Sequence, residues 1–317
     1  MIRTLPLSLN VCFLLFVWAM VVGCDDATNP PYTHQQNVKP DSFRLAYTAL
    51  PTDSIVIDEK HVIYLPEAGE SQDKKIVLLL FDPQGNPEVP IRKYRALADK
   101  YNIVLAGTKG SKNGITLNAV IDAGRILIKE IQDRFEGDSV LIYLGGFSGG
   151  SQAVFAMAEI LPTNGLIYCG TPGNLPSKPI PILGLAGNMD MNYADLLRFA
   201  DNIPTANQSL LLKYVGEHAW PKAAVMEAAF LWIHCKSTQF NNCSNDVIEK
   251  TTKSVSIGLP ESIQKVQTAA LTVFIKASSG QSTTSEKQQL EALKNSADYK
   301  STIAKENSDI ALELNLK

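Results

Sequence analysis

The fold is decided by the stretch Leu144-Gly145-Gly146-Phe147-Ser148-Gly149-Gly150. Residues 146–150 match the pattern G-x-S-x-G, which places a serine on a sharp turn between a strand and a helix. The apolar run 140–144 before it predicts a buried strand, and the residues after it predict a helix at 152–161. Glycines on both sides of Ser148 permit the close backbone approach that such a turn requires. The alternative interpretation is a tight turn without a chemical role.

Strands and helices alternate on both sides of this turn. Further continuously apolar runs predict buried strands at residues 76–81, 103–107, 165–169 and 180–186. Helical spacing of apolar residues predicts helices at 91–100 and 117–135. Two earlier runs, 54–58 and 61–65, alternate apolar and polar residues as half-buried antiparallel strands do. We therefore predict an α/β fold with a mostly parallel central sheet and helices on both faces.

Composition and motif spacing exclude several classes of ligand. The chain has 317 residues, 45% of them hydrophobic and 19% charged, and its formal net charge is −3 without a long run of one sign. This balance lacks the basic footprint of a nucleic-acid-binding protein. Residues 145–150 fit G-x-G-x-x-G in no register, and no Gly-Lys-Ser/Thr occurs, so a nucleotide site is not expected. No two histidines have metal-ligand spacing, and we predict neither a metal nor a cofactor.

A serine nucleophile needs a base, and two histidines follow Ser148 in the chain. His218 lies in a turn-like segment beyond the apolar run 210–215, where a loop at the end of a strand is expected. His234 lies within an apparently helical run, where a packed or surface role is expected. We therefore select His218 as the base.

The acid that orients the base is expected just beyond another strand. Asp190 follows the apolar run 182–186 directly and is our choice. Asp195 is the fallback, although it lies one helical turn later beside two leucines. Glu217 adjoins His218, and because neighbouring side chains point apart we expect it to orient the histidine poorly.

These residues resemble the α/β-hydrolase superfamily, and more narrowly the small secreted esterases related to dienelactone hydrolases, feruloyl esterases and polyhydroxybutyrate depolymerases. The resemblance covers about residues 50–236. It rests on three segments that occur in the family's order, namely Gly146-Phe-Ser-Gly-Gly150, Gly187-Asn-Met-Asp190 and His218-Ala-Trp-Pro221. The resemblance implies that Ser148 is the nucleophile, His218 the general base and acid, and Asp190 the residue that orients the histidine.

The resemblance also implies an oxyanion hole built from two backbone amides, one of which belongs to Gly149. The second amide comes from the loop after the third strand, here Asp82-Pro83-Gln84-Gly85-Asn86. Pro83 has no N–H, so we expect Gln84 to donate. The family's variable cap is normally inserted near residues 170–179, which are here too rich in Pro and Gly for a lid. We therefore expect no cap domain and an open site.

The first 23 residues resemble a secretory signal. Arg3 is the only charge before Asp25, the residues between are almost all apolar, and the segment ends Val21-Val22-Gly23-Cys24. This ending resembles a bacterial lipobox, in which the cysteine is cleaved free and lipidated. Residues 24–45 are polar and are expected to form a flexible tether. We therefore expect a lipid-anchored protein of the bacterial cell envelope, facing the periplasm or the cell surface; the alternative is an uncleaved membrane anchor.

The remaining segments complete the predicted organisation. Residues 46–236 form the hydrolase domain, and 237–317 form a helical extension that packs on it or serves as a separate interaction module. Cys235 and Cys243 are eight residues apart across a polar turn, which is compatible with a disulfide or with two free thiols. Cys169 lies in an apolar run, as a buried small hydrophobe would.

The expected activity is hydrolysis of a carboxylic ester through an acyl-enzyme, without a cofactor. An open site would suit a bulky or polymer-linked ester as the substrate. Two alternatives remain, a serine peptidase of the same fold and a catalytically silent lipoprotein that binds a ligand in the cleft.

Overall fold

A computed structural model describes residues 55–66, 74–135, 140–240 and 243–315. The predicted signal, the tether and the lipidation site at Cys24 lie outside the described residues. In the described part, no helix combines the length and the apolar content that crossing a membrane requires.

One sheet of eight strands forms the centre of the molecule. Its strands are β1 Ile55–Ile57, β2 His61–Tyr64, β3 Lys75–Phe81, β4 Val104–Thr108, β5 Val140–Phe147, β6 Gly165–Cys169, β7 Ile182–Gly187 and β8 Ser209–Tyr214. They lie in the order β1-β2-β4-β3-β5-β6-β7-β8. Strands β3 to β8 are parallel, while β2 runs antiparallel to both β1 and β4. The predicted mostly parallel α/β sheet is confirmed.

Nine helices are found in the described part of the chain. They are α1 Glu88–Tyr101, α2 Leu117–Arg134, α3 Gly149–Ile160, α4 Tyr193–Asp201, α5 Ala223–Ser237, α6 Asn245–Val255, α7 Glu261–Ser278, α8 Thr284–Lys294 and α9 Ala297–Asn315. Two of the helices have an N-cap residue whose side-chain oxygen accepts a backbone hydrogen bond. Thr116 accepts from the amide of Ala119 at the start of α2, and Ser244 accepts from the amide of Val247 at the start of α6.

Two separate hydrophobic cores show that helices cover both faces of the sheet. The first core joins one sheet face to α1, α5 and α7, and includes Tyr94, Phe230 and Phe274. The second joins the other face to α2, α3 and α4, and includes Leu127 and Phe155. Because each central strand is buried on both faces, its sequence is continuously apolar, and six of the seven residues of β3 are buried.

The C-terminal helices contact the sheet directly. The side-chain amide of Gln267 in α7 accepts from the backbone N–H of Lys213 in β8 at 2.5 Å and donates to its carbonyl at 3.2 Å. The rings of Trp232 and Phe274, in α5 and α7, have centroids 5.1 Å apart. Glu306 of α9 pairs with the ammonium of Lys213 at 2.5 Å. These contacts attach the helices after residue 236 to the last strand.

Cys235 and Cys243 are joined in a disulfide, with Cα atoms 5.7 Å apart. The bond links the last turn of α5 to the residue that precedes the cap of α6. Cys169 is a free thiol, fully buried in β6.

Candidate active site

Ser148 lies on the turn that joins β5 to α3. Its φ of 51° and ψ of −124° form a conformation that side-chain-bearing residues rarely adopt. A Cβ built on Gly146 would overlap the Gly150 carbonyl, and one built on Gly150 would overlap the carbonyl of Phe81 in β3. The two glycines are therefore required for the strand and the helix to approach this closely, and the turn presents Ser148 beyond the end of the sheet.

Three side chains form a continuous hydrogen-bonded row at this end of the sheet. Ser148 Oγ lies 3.1 Å from Nε2 of His218, and Nδ1 of His218 lies 2.9 Å from both carboxylate oxygens of Asp190. Since a carboxylate can only accept, Nδ1 carries the proton in the neutral ring and Nε2 is left as an acceptor for the serine hydroxyl. The structure thus brings together all three residues that the sequence singled out, and it leaves out Asp195 and Glu217.

The loops after β7 and β8 position the acid and the base. The amides of Asn188 and Met189 donate to the carbonyls of Tyr214 and Gly216, each at 2.9 Å, so the acid loop is bonded to the end of β8. The carboxylate of Asp190 also accepts from the Asn192 amide at 2.8 Å. This second bond fixes the orientation of the carboxylate independently of the histidine.

Aromatic packing holds the histidine ring. The ring of Phe147, which precedes the serine, has its centroid 4.8 Å from that of His218 and 5.6 Å from that of Trp220. Gly170 has a φ of 75°, and a Cβ there would come within 3.1 Å of Cε1 of His218. Asp190 is only 6% exposed, whereas the side chain of His218 is 22% exposed and therefore accessible from solvent.

Cys169 lies behind this row and is not a rival nucleophile. Burial, and to a lesser degree the charge of Asp190, raises the pKa of its thiol far above the usual value. A thiol kept protonated and without solvent contact does not react as a nucleophile.

Gly149 opens α3, so its amide is among the first four of the helix and has no intrahelical acceptor. This is the position expected for one oxyanion donor. The other expected donor requires a correction, because the amide of Gln84 already donates to Oδ1 of Asp82 at 2.9 Å. Its N–H is therefore not free to bind an oxyanion.

Asp82 and Trp220 form a contact that the sequence analysis missed. Nε1 of Trp220 donates to Oδ2 of Asp82 at 2.8 Å, and both side chains are buried. The contact joins the loop after β3 to the segment that carries His218, across 138 positions of sequence. Each residue belongs to a segment with a predicted role, but no sequence pattern predicts that the two side chains make contact.

One group of side chains has the composition of a metal site. Asp58, His61 and Glu130 each offer one ligand atom, and these atoms lie within 4.8 Å of one another. In the structure they bond to protein groups: His61 Nδ1 lies 2.8 Å from Oε2 of Glu130, and Oδ1 of Asp58 accepts from the amides of Lys60 and His61. The group lies outside the Ser148 row, and the row itself contains a single histidine and a single carboxylate.

No family model and no curated protein matches the chain. Among solved structures, it is similar to S-formylglutathione hydrolase from Staphylococcus aureus, with 13% identity over 58% of this chain and 98% of that one and a TM-score of 0.44. It is also similar to an α/β serine hydrolase without lid from Xanthomonas campestris, with 16% identity over 55% of this chain and 86% of that one and a TM-score of 0.44. It is similar as well to Est1E from Butyrivibrio proteoclasticus, with 13% identity over 58% of this chain and 97% of that one and a TM-score of 0.46.

Sheet topology and the placement of the three side chains define the fold. A serine with positive φ follows β5, a carboxylate follows β7 and a histidine follows β8, all at the carboxyl ends of parallel strands. Serine, acid and histidine in this chain order, with the serine on a strained strand-to-helix turn, characterise one architecture. The chain has the α/β-hydrolase fold.

Proposed function

We propose that this protein is a serine hydrolase that cleaves carboxylic esters through an acyl-enzyme. The observation that carries the proposal is the unbroken row of hydrogen bonds from Ser148 through His218 to Asp190. A serine hydroxyl is a weak nucleophile by itself. It is activated by an adjacent base that a third group holds in the correct tautomer.

The reaction follows from the positions of these groups. Ser148 Oγ attacks the ester carbonyl while Nε2 of His218 takes the hydroxyl proton, and the Asp190 carboxylate stabilises the imidazolium that forms. The amide of Gly149 donates to the oxyanion of the tetrahedral intermediate. The intermediate collapses, the alcohol leaves with the proton from His218, and the acyl group stays on the serine. Water then attacks this acyl-enzyme with the same histidine as base, which releases the acid.

The proposed substrate is a bulky or polymer-linked ester. Residues 170–181, which join β6 to β7, contain neither a helix nor a strand and so provide no cap over the serine. Met189 and Met191, on either side of Asp190 in sequence, are 56% and 70% exposed, so two apolar side chains reach the surface in this segment. An uncovered site admits a large substrate. A tenfold higher kcat/KM for short soluble esters than for polymer-linked esters of the same acid would contradict this substrate class.

We further propose that the mature chain is anchored in the bacterial cell envelope by a lipid on Cys24, on the evidence of the sequence that precedes it. Metabolic labelling with an alkyne analogue of palmitate tests the lipid directly. We expect the wild-type chain to be labelled and to sediment with membranes, and Cys24→Ala to lose the label. An unlabelled wild-type chain that retains residues 1–23 would refute lipidation and favour an uncleaved anchor.

A fluorophosphonate probe tests the enzymatic activity because it reacts only with an activated serine. We expect wild type to be labelled and to hydrolyse p-nitrophenyl esters, and Ser148→Ala to do neither. The matched control is Ser301→Ala, which removes an exposed hydroxyl in α9 and should behave as wild type. A folded wild-type protein that neither reacts nor hydrolyses esters would refute the proposal and favour a silent binding protein. Faster cleavage of a matched amide than of the ester would instead favour a peptidase.

A further inference from the structure

In the loop after β3, residues 83–86 have no amide available for an oxyanion. Pro83 carries no N–H, and the amide of Gln84 donates to Oδ1 of Asp82. The Gly85 amide donates to the Asp82 carbonyl at 3.1 Å, and the Asn86 amide reaches the Asp82 carboxylate at 3.4 Å. The buried carboxylate and carbonyl of Asp82 thus occupy the donors of this loop. With the Gly149 amide as one donor, the site needs its second donor from elsewhere.

The loop after β4 brings a side-chain amide to this place. The backbone N–H of Asn113 donates to the Pro83 carbonyl at 2.7 Å, and Lys112 pairs with Gln84 in an isolated antiparallel bridge. These bonds fix the loop that carries Asn113 beside the loop after β3. The position of Asn113 is therefore set by two backbone connections that do not involve its side chain.

The side chain of Asn113 lies directly over the residue that follows the serine. A Cβ built on Gly149 would overlap Oδ1 of Asn113 and would lie 3.4 Å from its Nδ2. Asn113 is exposed, and in the described part of the chain no hydrogen bond engages its carboxamide. Rotation of the carboxamide by half a turn exchanges its oxygen and its nitrogen, so an N–H can face the space beside the Gly149 amide.

We propose that the side-chain amide of Asn113 is the second donor of the oxyanion hole, in place of a backbone amide from the loop after β3. This inference rests on the proposed hydrolase function. A neutral carboxamide is suited to the role, because it donates a hydrogen bond to the developing negative charge without changing its own protonation. It also accounts for glycine at position 149, where any side chain would displace the carboxamide.

The test compares three variants with wild type in p-nitrophenyl acetate hydrolysis. Loss of a single side-chain donor of this kind lowers kcat by about 10²–10³-fold in a serine hydrolase. We expect Asn113→Ala to lower kcat by roughly that factor with KM within about threefold of wild type. Asn113→Asp preserves the shape but offers no N–H as a carboxylate, so kcat should fall at least as far. Lys112→Ala keeps the backbone bridge, removes an exposed side chain and should leave kcat unchanged.

Affinity for a boronic acid distinguishes an oxyanion donor from a residue that only supports the loop. A boronate mimics the tetrahedral intermediate, so its dissociation constant should rise in Asn113→Ala by about the same factor as kcat/KM falls. Melting temperatures of the variants should stay at the wild-type value. An active wild-type enzyme with Asn113→Ala and Asn113→Asp both within threefold in kcat would overturn this inference and leave the hydrolase proposal intact. A wild-type protein that a fluorophosphonate does not label would refute the hydrolase proposal, and this inference with it.

Discussion

Hydrogen bonds of Ser151 join the turn that carries Ser148 to the neighbouring strand β6, and we predict that Ser151→Ala destabilises the protein by about 2 kcal/mol. Its hydroxyl is fully buried in the first turn of α3 and lies 2.7 Å from the Gly146 carbonyl and 2.8 Å from the Cys169 carbonyl. It also accepts from the Cys169 amide at 3.1 Å. Without the oxygen, the hydroxyl's donated bond to a carbonyl and its accepted bond from the Cys169 amide are both lost, at roughly 0.5–1.5 kcal/mol each. The Cys169 carbonyl is affected less, because the Ser148 amide still donates to it at 2.8 Å.

Urea unfolding and thermal melting measure the effect. For a chain of this size, 1 kcal/mol corresponds to a shift of roughly 2–4 °C, so we expect a melting temperature lower by about 4–8 °C. The matched control is again Ser301→Ala, which makes the same change at an exposed helical position. It should alter the free energy of unfolding by less than about 0.5 kcal/mol, and it also corrects for the higher helix propensity of alanine. Equal unfolding free energies for the two variants would refute the reasoning.

Two further predictions concern the acid of the site and a buried histidine. Asp190→Asn should lower kcat for p-nitrophenyl esters by about 10⁴-fold, because an amide in place of the carboxylate no longer holds His218 in the tautomer that accepts from serine. A decrease in kcat of less than tenfold would contradict the role of Asp190. Burial lowers the pKa of His234, whose Nδ1 has no partner in the described part of the chain. As the pH falls, His234 is therefore protonated in the unfolded chain before it is protonated in the folded protein. The folded protein consequently has its full stability above about pH 6.5 and loses stability below that pH. The urea midpoint of unfolding, measured from pH 8 down to pH 5, should fall in wild type and fall less in His234→Leu. The same fall in both proteins would contradict this prediction.

The buried strands were predictable from sequence because both of their faces are covered. Strand β6 has the predicted limits, Gly165–Cys169, and β3 extends the predicted run by one residue. Strand β5 extends three residues beyond the predicted end, through Gly145 and Gly146 to Phe147. These glycines resemble a turn in the sequence, yet they pair with Leu80 and Phe81 of β3 and with β6 on the other side. Pairing with two neighbours decided the backbone conformation where local propensity indicated a turn.

Helix α4 was not predicted because it buries little. Only its residues Tyr193 and Leu196 are buried. A helix whose buried face contains so few apolar residues, or polar ones, gives only a weak periodic signal. The three residues of the hydrogen-bonded row were predictable for a different reason. Each lies close after the end of an apolar strand, and the chain order of serine, acid and histidine selects them among a small number of candidates.

The oxyanion donors could not be assigned in the same way, because a backbone N–H belongs to every residue except proline and only its partner decides its role. Asp82 determines which amides of the loop after β3 are free, because its side chain accepts hydrogen bonds from them. Its side chain accepts from the Gln84 amide and from the indole of Trp220, so a single buried carboxyl group joins this loop to the segment of His218. A buried carboxylate is stable only when hydrogen bonds satisfy it, and the loop amides provide them. The same amides cannot also stabilise a reaction intermediate, and for this reason a side chain from the next loop, Asn113, is the donor to test.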